Sequence, residues 1–418
     1  MDPQIVAELA SPLGRELIRL VQPYRDDRVL KQHTKMRELG HRPELISAVL
    51  TQAKLQERAK VKFGDSAADL LFTSDGVEQA TRAEVAALHA DRFVAAGLKD
   101  HWDLGCGIGA DARAVAGAGL PVTAVEMNPG TAAIAAANLA DFEHARVVTA
   151  AIESLDLNFG SDTSIWLDPA RRVAGVSDAS GRSQRISGLE EMSPPWSLVQ
   201  ELATQSGAAG AKYSPGFPAQ SIPVAAEAVW VSFAGVALEC SLWWGAAVES
   251  PGRSVVRSLA GHPREWARLS DADVAPSWQT HRAWPELEPG MFLYDPDKAA
   301  LAADLLGAVA SIVGADEVGP ATGYLVSREQ IDTGWARRWR IREVLPLNVK
   351  AIRAWARSHN VGNLTLKRRG HGPDPEVLRK QLKLKGKAEA TLVLTRAGEE
   401  LVAIWVELDG PSHAGSRT

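Results

Sequence analysis

Hydrophobic positions in the first 90 or so residues recur at three- and four-residue spacing with charged residues between them. This spacing predicts amphipathic helices over residues 12–20, 43–60 and, after a break, 82–96. The break is Leu71-Phe72-Thr73-Ser74-Asp75-Gly76-Val77-Glu78-Gln79-Ala80-Thr81. It holds an Asp-Gly turn signal, and Gln79 or Thr81 stands where an N-cap would start the next helix. Past residue 97 the pattern changes. Short apolar runs at 122–126, 146–150, 164–168 and 209–213 alternate with helical stretches at 111–118, 129–142 and 196–205. Two further runs, 227–233 and 236–244, flank Ala234-Gly235 like paired strands. Such alternation predicts an α/β fold, a parallel sheet with helices on both faces. The last part is mixed, with helices expected at 296–313, 347–358 and 375–384, a strand at 363–367, and alternating runs 391–394 and 401–406 about the turn Ala397-Gly398. This reads as a small α+β unit. The expected domains are a helical region 1–96, a sheet domain 97–260, a connection 261–334 and a terminal unit 335–410.

One turn draws the rest together. Asp103-Leu104-Gly105-Cys106-Gly107-Ile108-Gly109 follows an apolar run and opens into an Ala-rich helix. Glycines at every second position let a backbone lie flat against a ligand where a side chain would collide. The helix that follows aims its free N–H groups and its positive dipole end at the same place. Glu126 ends the next apolar run 21 residues past Gly105, the distance at which an acid of the neighbouring strand reaches ribose hydroxyls. An ordinary strand–helix turn would explain the glycines alone; the two acids and the helix at 129–142 favour a nucleoside-type cofactor. The spacing is D-x-G-x-G-x-G, which separates it from the G-x-G-x-x-G of dinucleotide sites.

Charge sharpens the picture. The net charge is −5, yet residues 335–387 hold 15 Lys and Arg against 3 Asp and Glu. That leaves the rest of the chain 31 of the 46 basic and 48 of the 51 acidic residues. A +12 block beside a −17 body points to a polyanionic partner, nucleic acid first; a solvated face, or a block docking on the acidic body, is the alternative. The two cysteines, Cys106 and Cys240, sit in no metal or redox spacing, and the 10 histidines show no ligand spacing, so no metal is expected. No apolar run approaches the ~20 residues of a membrane span. The opening residues carry Asp2 and Glu8, unlike a secretion signal, so a soluble cytoplasmic protein is expected.

Asp168-Pro169-Ala170-Arg171 closes the 164–168 run, where open α/β sheets place their ligands. Asp168 is a candidate to meet substrate, or simply a strand-end cap. Arg171 can stack on a base or hold a phosphate, or be surface charge. Lys212 is either a phosphate contact or a surface lysine. Cys240 lies in an apolar run with Trp243 and Trp244 and reads as core, which argues against a cysteine nucleophile.

The glycine turn resembles motif I of class I S-adenosylmethionine-dependent methyltransferases. The resemblance implies a Rossmann-like methyltransferase sheet at 97–260 and S-adenosyl-L-methionine as cofactor. Asp103 would help place the methionine part, Gly105, Gly107 and Gly109 would lie under the ligand, and Glu126, with Met127 beside it, would hold the ribose. Many members carry an acid after the third strand for the adenine amine; here Ala150-Ala151-Ile152 stands there, so backbone groups at Ala151 and packing by Ile152 would hold adenine instead. The 71–81 break, through Thr73, Gln79 and Thr81, either caps a helix or covers the cofactor's amino-acid end. The Asp168 segment resembles motif IV of nucleic-acid amino-methyltransferases, in which an acid or amide, two prolines and an aromatic residue grip a flipped base. Ala170 and Arg171 depart from that pattern.

The wider arrangement resembles a bacterial family of such enzymes with a C-terminal THUMP-like domain. It is carried by Phe72-Thr73, Glu78-Gln79-Ala80-Thr81, the glycine turn, Asp168 to Arg172, Lys212-Tyr213-Ser214-Pro215-Gly216, Leu366-Lys367-Arg368-Arg369-Gly370 and Leu382-Lys383-Leu384-Lys385-Gly386. THUMP domains proper bind RNA. The expectation is therefore an RNA methyltransferase acting on tRNA or rRNA. Asp168, Pro169 and Arg171 would sit at the reaction, and Lys212, Lys367, Arg368, Arg369, Arg379, Lys380, Lys383 and Lys385 on the RNA. A small-molecule or protein methyltransferase whose basic domain serves assembly is the alternative, and a non-catalytic cofactor sensor a third.

Overall fold

A computed structural model describes residues 1–169, 172–177, 183–185, 188–280, 284–369 and 372–409. The chain divides into two compact units. The first comprises Met1–Tyr213, Pro223–Glu227 and Ser241–Pro251, the second Ser214–Ile222, Ala228–Cys240 and Gly252–Thr418.

The first unit opens with helices α1 (Pro3–Ala10), α2 (Pro12–Leu20), α3 (Val29–Glu38), α4 (Pro43–Phe63), α5 (Ser74–Gln79) and α6 (Ala83–Ala96). Four of these begin under local capping control: Asp2, Ser11 and Thr73 each accept a backbone N–H of the first turn, and Pro43 opens α4. Then β1 (Asp100–Leu104), α7 (Ala110–Gly117), β2 (Val122–Glu126), α8 (Pro129–Leu139), β3 (Ala145–Thr149), β4 (Thr163–Leu167), the hairpin β5 (Arg172–Ser177) and β6 (Ser183–Arg185), α9 (Trp196–Gln205) and β7 (Ala208–Tyr213) follow. The sheet runs β7-β4-β1-β2-β3, every pair parallel. Chain order reverses between β1 and β4, so ligands are expected beyond the carboxyl ends of those two strands.

The N-terminal helices share one core with the sheet domain. Leu9, Ile46, Val49 and Phe72 pack in the same cluster as Ile108 of the glycine turn and Ile134 of α8. The helical region expected as a separate domain is thus part of the unit that holds the turn.

The second unit contains β8 (Glu227–Phe233, from residue 228) next to β9 (Val236–Gly245, to residue 240), then β10 (Gly252–Leu259) and β11 (His262–Ser270) as an antiparallel pair. A second sheet is built from β12 (Phe292–Pro296), β13 (Asp316–Glu317), β14 (Leu325–Ser327), β15 (Ala336–Pro346), β16 (Val361–Arg368), β17 (Ala388–Ala397) and β18 (Glu400–Leu408), ordered β13-β14-β12-β15-β18-β17-β16. The helix expected over 296–313 is instead β12 followed by two short helices, α10 (Lys298–Ala302) and α11 (Leu306–Val313). They are split at Asp304, whose φ of 57° is incompatible with a continuous right-handed helix. Helices α12 (Val349–Ser358) and α13 (Pro375–Leu382) pack with each other and with β16. Among the described residues no helix is long and apolar enough to cross a membrane.

Candidate active site

The turn after β1 takes the form its glycines allow. Gly105, Gly107 and Gly109 have φ of 89°, 55° and 82°, the left-handed region that a Cβ disfavours. The N–H groups of Gly105 and Cys106 both donate to the Val125 carbonyl at 2.9 Å, which seats the turn on β2. A Cβ at Gly105 would stand 3.6 Å from the Asp168 carbonyl oxygen and 4.0 Å from Ile152 Cδ1, whereas one at Gly107 would meet nothing within 4 Å. The turn therefore lies against Asp168 and Ile152 at one glycine and is open at the next.

Glu126 is fixed over the open side. Its Oε2 accepts the Gly107 N–H at 3.1 Å and its Oε1 accepts the Asn128 N–H at 2.8 Å. Each oxygen keeps a lone pair for a ligand hydroxyl. Burial raises its pKa, and the Asn128, Gly107 and Met127 amides pull it partly back. Beside it Met127 is 64 % exposed, an apolar side chain left in solvent. Ala151 N-caps the short turn Ile152–Ser154 that brings the Ile152 side chain to Gly105.

Three carboxylates and one ammonium meet at the inner end of the turn. Lys212, at the end of β7 and 13 % exposed, pairs with Asp168 Oδ2 and donates to Thr81 Oγ1 at 3.2 Å. Thr81 in turn donates to Asp111 Oδ2 at 2.6 Å, and His89 Nδ1 lies 2.8 Å from Asp111 Oδ1. Burial alone would push the Asp111 carboxyl up. The hydrogen bond and charge of His89, the Lys212 charge and the Thr81 hydroxyl outweigh it and hold the group low. Asp103 is the exception. It is 1 % exposed and both carboxylate oxygens lack a hydrogen-bond partner. Burial, then repulsion from Asp111 and Asp168, raises it well above the usual carboxylate range, and Lys212 and the Ala112 amide only partly offset this. A buried acid without a partner is costly unless a cationic ligand group answers it. The methionine ammonium of S-adenosylmethionine is such a group, so the residues present fit that cofactor: Asp103 would meet its amino-acid end, Glu126 with Met127 its ribose, and Ile152 its adenine.

The segment between α4 and α6 forms a strap against this turn. Gln52 donates to the Phe72 carbonyl at 2.7 Å and accepts the Phe72 N–H at 2.9 Å; Gln56 donates to the Leu70 carbonyl at 3.0 Å. From the other side Asn138 of α8 accepts the Leu71 N–H at 2.8 Å and donates to the carbonyls of Leu71 and Ile108 at 3.0 and 2.9 Å. Lys62 Nζ donates to the carbonyls of Glu78 and Ala80 at 2.5 and 2.8 Å. Gly76 sits so close to Ile108 that a Cβ would come within 2.6 Å of its Cγ2. Thr73 spends its hydroxyl on the N-cap of α5, accepting the Gly76 N–H at 2.8 Å, and Gln79 is exposed at the end of that helix. Of the strap residues singled out in the sequence, Thr81 is the one whose side chain reaches the charged cluster.

Sequence reasoning passed over Gln52, Gln56, Lys62, Asn138, His89 and Asp111. A signal existed for some of them. Asn138 and the i, i+4 pair Gln52 and Gln56 fall on the apolar stripes of their helices, where an unpaired amide would be penalised. Pro169 is buried beside Asp168, while Ala170 and Arg171 lie outside the described residues. Lys212, weighed as a phosphate contact, is placed inside the carboxylate cluster instead.

The basic residues of the second unit fall into two sets. Lys367 and Arg369 both bind Asp295, at 3.0 and 2.6 Å, and lie over the rings of Trp339 and Tyr324. Arg369 also donates to the Gly323 carbonyl at 2.6 Å. Arg379 pairs with Glu376 at 3.1 Å and Arg368 donates to the Gly372 carbonyl at 3.3 Å. Lys380, Lys383 and Lys385 are exposed.

Known proteins resemble this chain at the level of domain and fold. Residues 336–408 match the THUMP domain-like family, and residues 2–59 match a domain family of unknown function. Two S-adenosylmethionine-dependent methyltransferases of Mycobacterium tuberculosis strains, their own substrates uncharacterised, are each 25 % identical over 355 residues, 82 % of this chain and 91 % of theirs. The crystal structure of a protein of Porphyromonas gingivalis W83 assigned as a methyltransferase superposes with a TM-score of 0.71 at 19 % identity, covering 98 % of both chains; at that identity the likeness speaks for the fold. The chain is an S-adenosylmethionine-dependent methyltransferase with a THUMP-like domain at residues 336–408.

Proposed function

We propose that this methyltransferase acts on RNA, on a nucleotide of tRNA or rRNA, with Asp168 at the acceptor and the basic C-terminal domain on the RNA backbone. The observation that carries the reading is the exposed, uncompensated part of the basic block, Lys380, Lys383 and Lys385, within a THUMP-like domain. The sulfonium of the cofactor supplies an already activated methyl group, so the protein has to align the acceptor and exclude water. Asp168 stands at the carboxyl end of β4, its carbonyl against Gly105 and its carboxylate held by Lys212. That carbonyl and carboxylate can accept the hydrogens of an exocyclic amine and turn its lone pair toward the open glycine. The Lys212 ammonium pairs with that carboxylate and fixes where its acceptor oxygens stand.

A second reading, a small-molecule or protein methyltransferase whose basic domain serves assembly, is favoured by one observation. Lys367 and Arg369 are spent inside the domain on Asp295.

Purified protein incubated with methyl-labelled S-adenosylmethionine and total cellular RNA decides between them. Label that RNase removes is the expected result. Label confined to protein or to small molecules overturns the RNA reading.

A further inference from the structure

We infer that the C-terminal unit holds a cleft that seats one unstacked nucleotide of a single-stranded RNA segment, its phosphate among Arg353, Arg357, Lys383 and Lys385 and its base on the apolar floor. This deepens the RNA reading and rests on it. The cleft measures about 470 Å³ and opens between α12 and the turn after α13. Its volume falls in the range that takes a small organic ligand and is far more than a bare phosphate needs. Ala356, Val361 and Leu382 form a buried floor.

The cations are arranged for an anion from outside the chain. Arg357, Lys383 and Lys385 pair with no carboxylate among the described residues, in contrast to Lys367 and Arg369 on Asp295. Arg353 is steadied by donating to the Gln381 carbonyl at 2.6 Å, while its Nε is buried without an acceptor. The two walls carry the non-glycine residues Asn360 and Lys383 in left-handed conformations, φ 53° and 50°. Such strain is tolerated where the surroundings fix it and is enriched at ligand clamps. Lys383 takes the left-handed conformation at the C-terminal cap of α13, where glycine is the usual choice, so a long cation stands at a position that usually carries no side chain. Bases of single-stranded RNA are free to leave a stack and lie on apolar surface, and their phosphates bind cations with strong salt dependence.

The test uses the full chain and a fluorescein-labelled 12-nucleotide single-stranded RNA, followed by anisotropy. The triple variant Arg357→Glu/Lys383→Glu/Lys385→Glu should weaken binding at least 30-fold and flatten the salt slope, while Lys31→Glu/Lys35→Glu on α3 leaves binding within twofold. Ala356→Trp, which fills the floor and keeps every charge, should weaken binding about tenfold with the salt slope unchanged. Near-ultraviolet circular dichroism and the thermal melt of each variant, compared with wild type, certify that the C-terminal unit is folded. Equal RNA binding by wild type and triple variant overturns the cleft. If total RNA is nevertheless labelled, the RNA reading stands without it. RNA binding lost in the triple variant but untouched by Ala356→Trp overturns the seated base. Adenosine monophosphate competing as tightly as the oligonucleotide overturns the RNA occupant and points to a free nucleotide. Cleft-dependent oligonucleotide binding with no label in RNA upholds the cleft and overturns the methylation target.

Discussion

The charges around the glycine turn and those around the C-terminal cleft are built on opposite plans. In the first, Lys212 is enclosed by Asp168, Asp111 and Asp103, and Thr81 and His89 complete the hydrogen bonds of Asp111. In the second, four cations stand around an apolar floor with no acid among the residues that line it. A buried network, satisfied except at the Asp103 carboxyl, holds one geometry and is insensitive to salt, as a small ligand with one reacting atom requires. Open cations hold a polyanion loosely and in a salt-dependent way, which suits a substrate located first and positioned later. The same contrast runs through the basic block itself, where Lys367 and Arg369 are anchored on Asp295 and Lys383 and Lys385 are not.

The sharpest way to break the comparison is at Asp168. Asp168→Ala should lower the rate of methyl transfer about 10²-fold and leave RNA affinity within twofold, read by single-turnover kinetics and anisotropy; this is the size of effect seen when a positioned acceptor or donor is removed. An equal loss of both would mean that the two regions do not divide chemistry from binding. Salt comes next. If the seated phosphate and about two neighbours are neutralised on the basic domain, at a slope near −0.7 per phosphate, raising salt from about 50 to 200 mM should weaken RNA binding on the order of 20-fold while cofactor affinity hardly moves. Glu126→Gln should then raise the cofactor Kd about tenfold by calorimetry, the worth of one charged hydrogen bond; unchanged affinity would displace the ribose from Glu126.

The smallest effect is on pH. Asp103 in the free protein is held protonated above its ordinary value of 3.8, so the unfolded chain loses that proton first as pH rises. Its contribution therefore destabilises the folded state progressively from near pH 4 upward, until the raised folded value is passed. A bound ammonium favours the ionised form. Cofactor binding should accordingly release a proton from Asp103 and tighten severalfold with rising pH, seen as buffer-dependent heat in calorimetry and absent in Asp103→Asn.

Much of the fold could be read locally. Helices at 12–20 and 196–205 and the strand at 227–233 match at both ends, because caps and periodicity lie within those segments. The glycine turn was legible for the same reason: acid, glycines and second acid are neighbours along two strands. What escaped depends on distant partners. The strand His262–Ser270 carries the exposed charges Arg264, Glu265 and Arg268 and shows no apolar alternation. Phe292–Pro296 becomes a strand because it lies between Leu325–Ser327 and Ala336–Pro346, which no local pattern announces. Lys212 could be read only as a phosphate contact or a surface lysine because Asp168 and Thr81 lie 44 and 131 residues away in sequence. Asn138 and Gln52 likewise find their partners 67 and 20 residues off.

Asn138 has a kinetic consequence. One amide fastens the strap at Leu71, the glycine turn at Ile108 and helix α8 to each other. None of the three can loosen alone without stranding buried backbone groups, so the turn opens only when the strap does. Solvent exchange at the Leu71 amide should therefore share a single opening rate with the first turn of α7, and the helices preceding the strap should gain protection when the cofactor is bound.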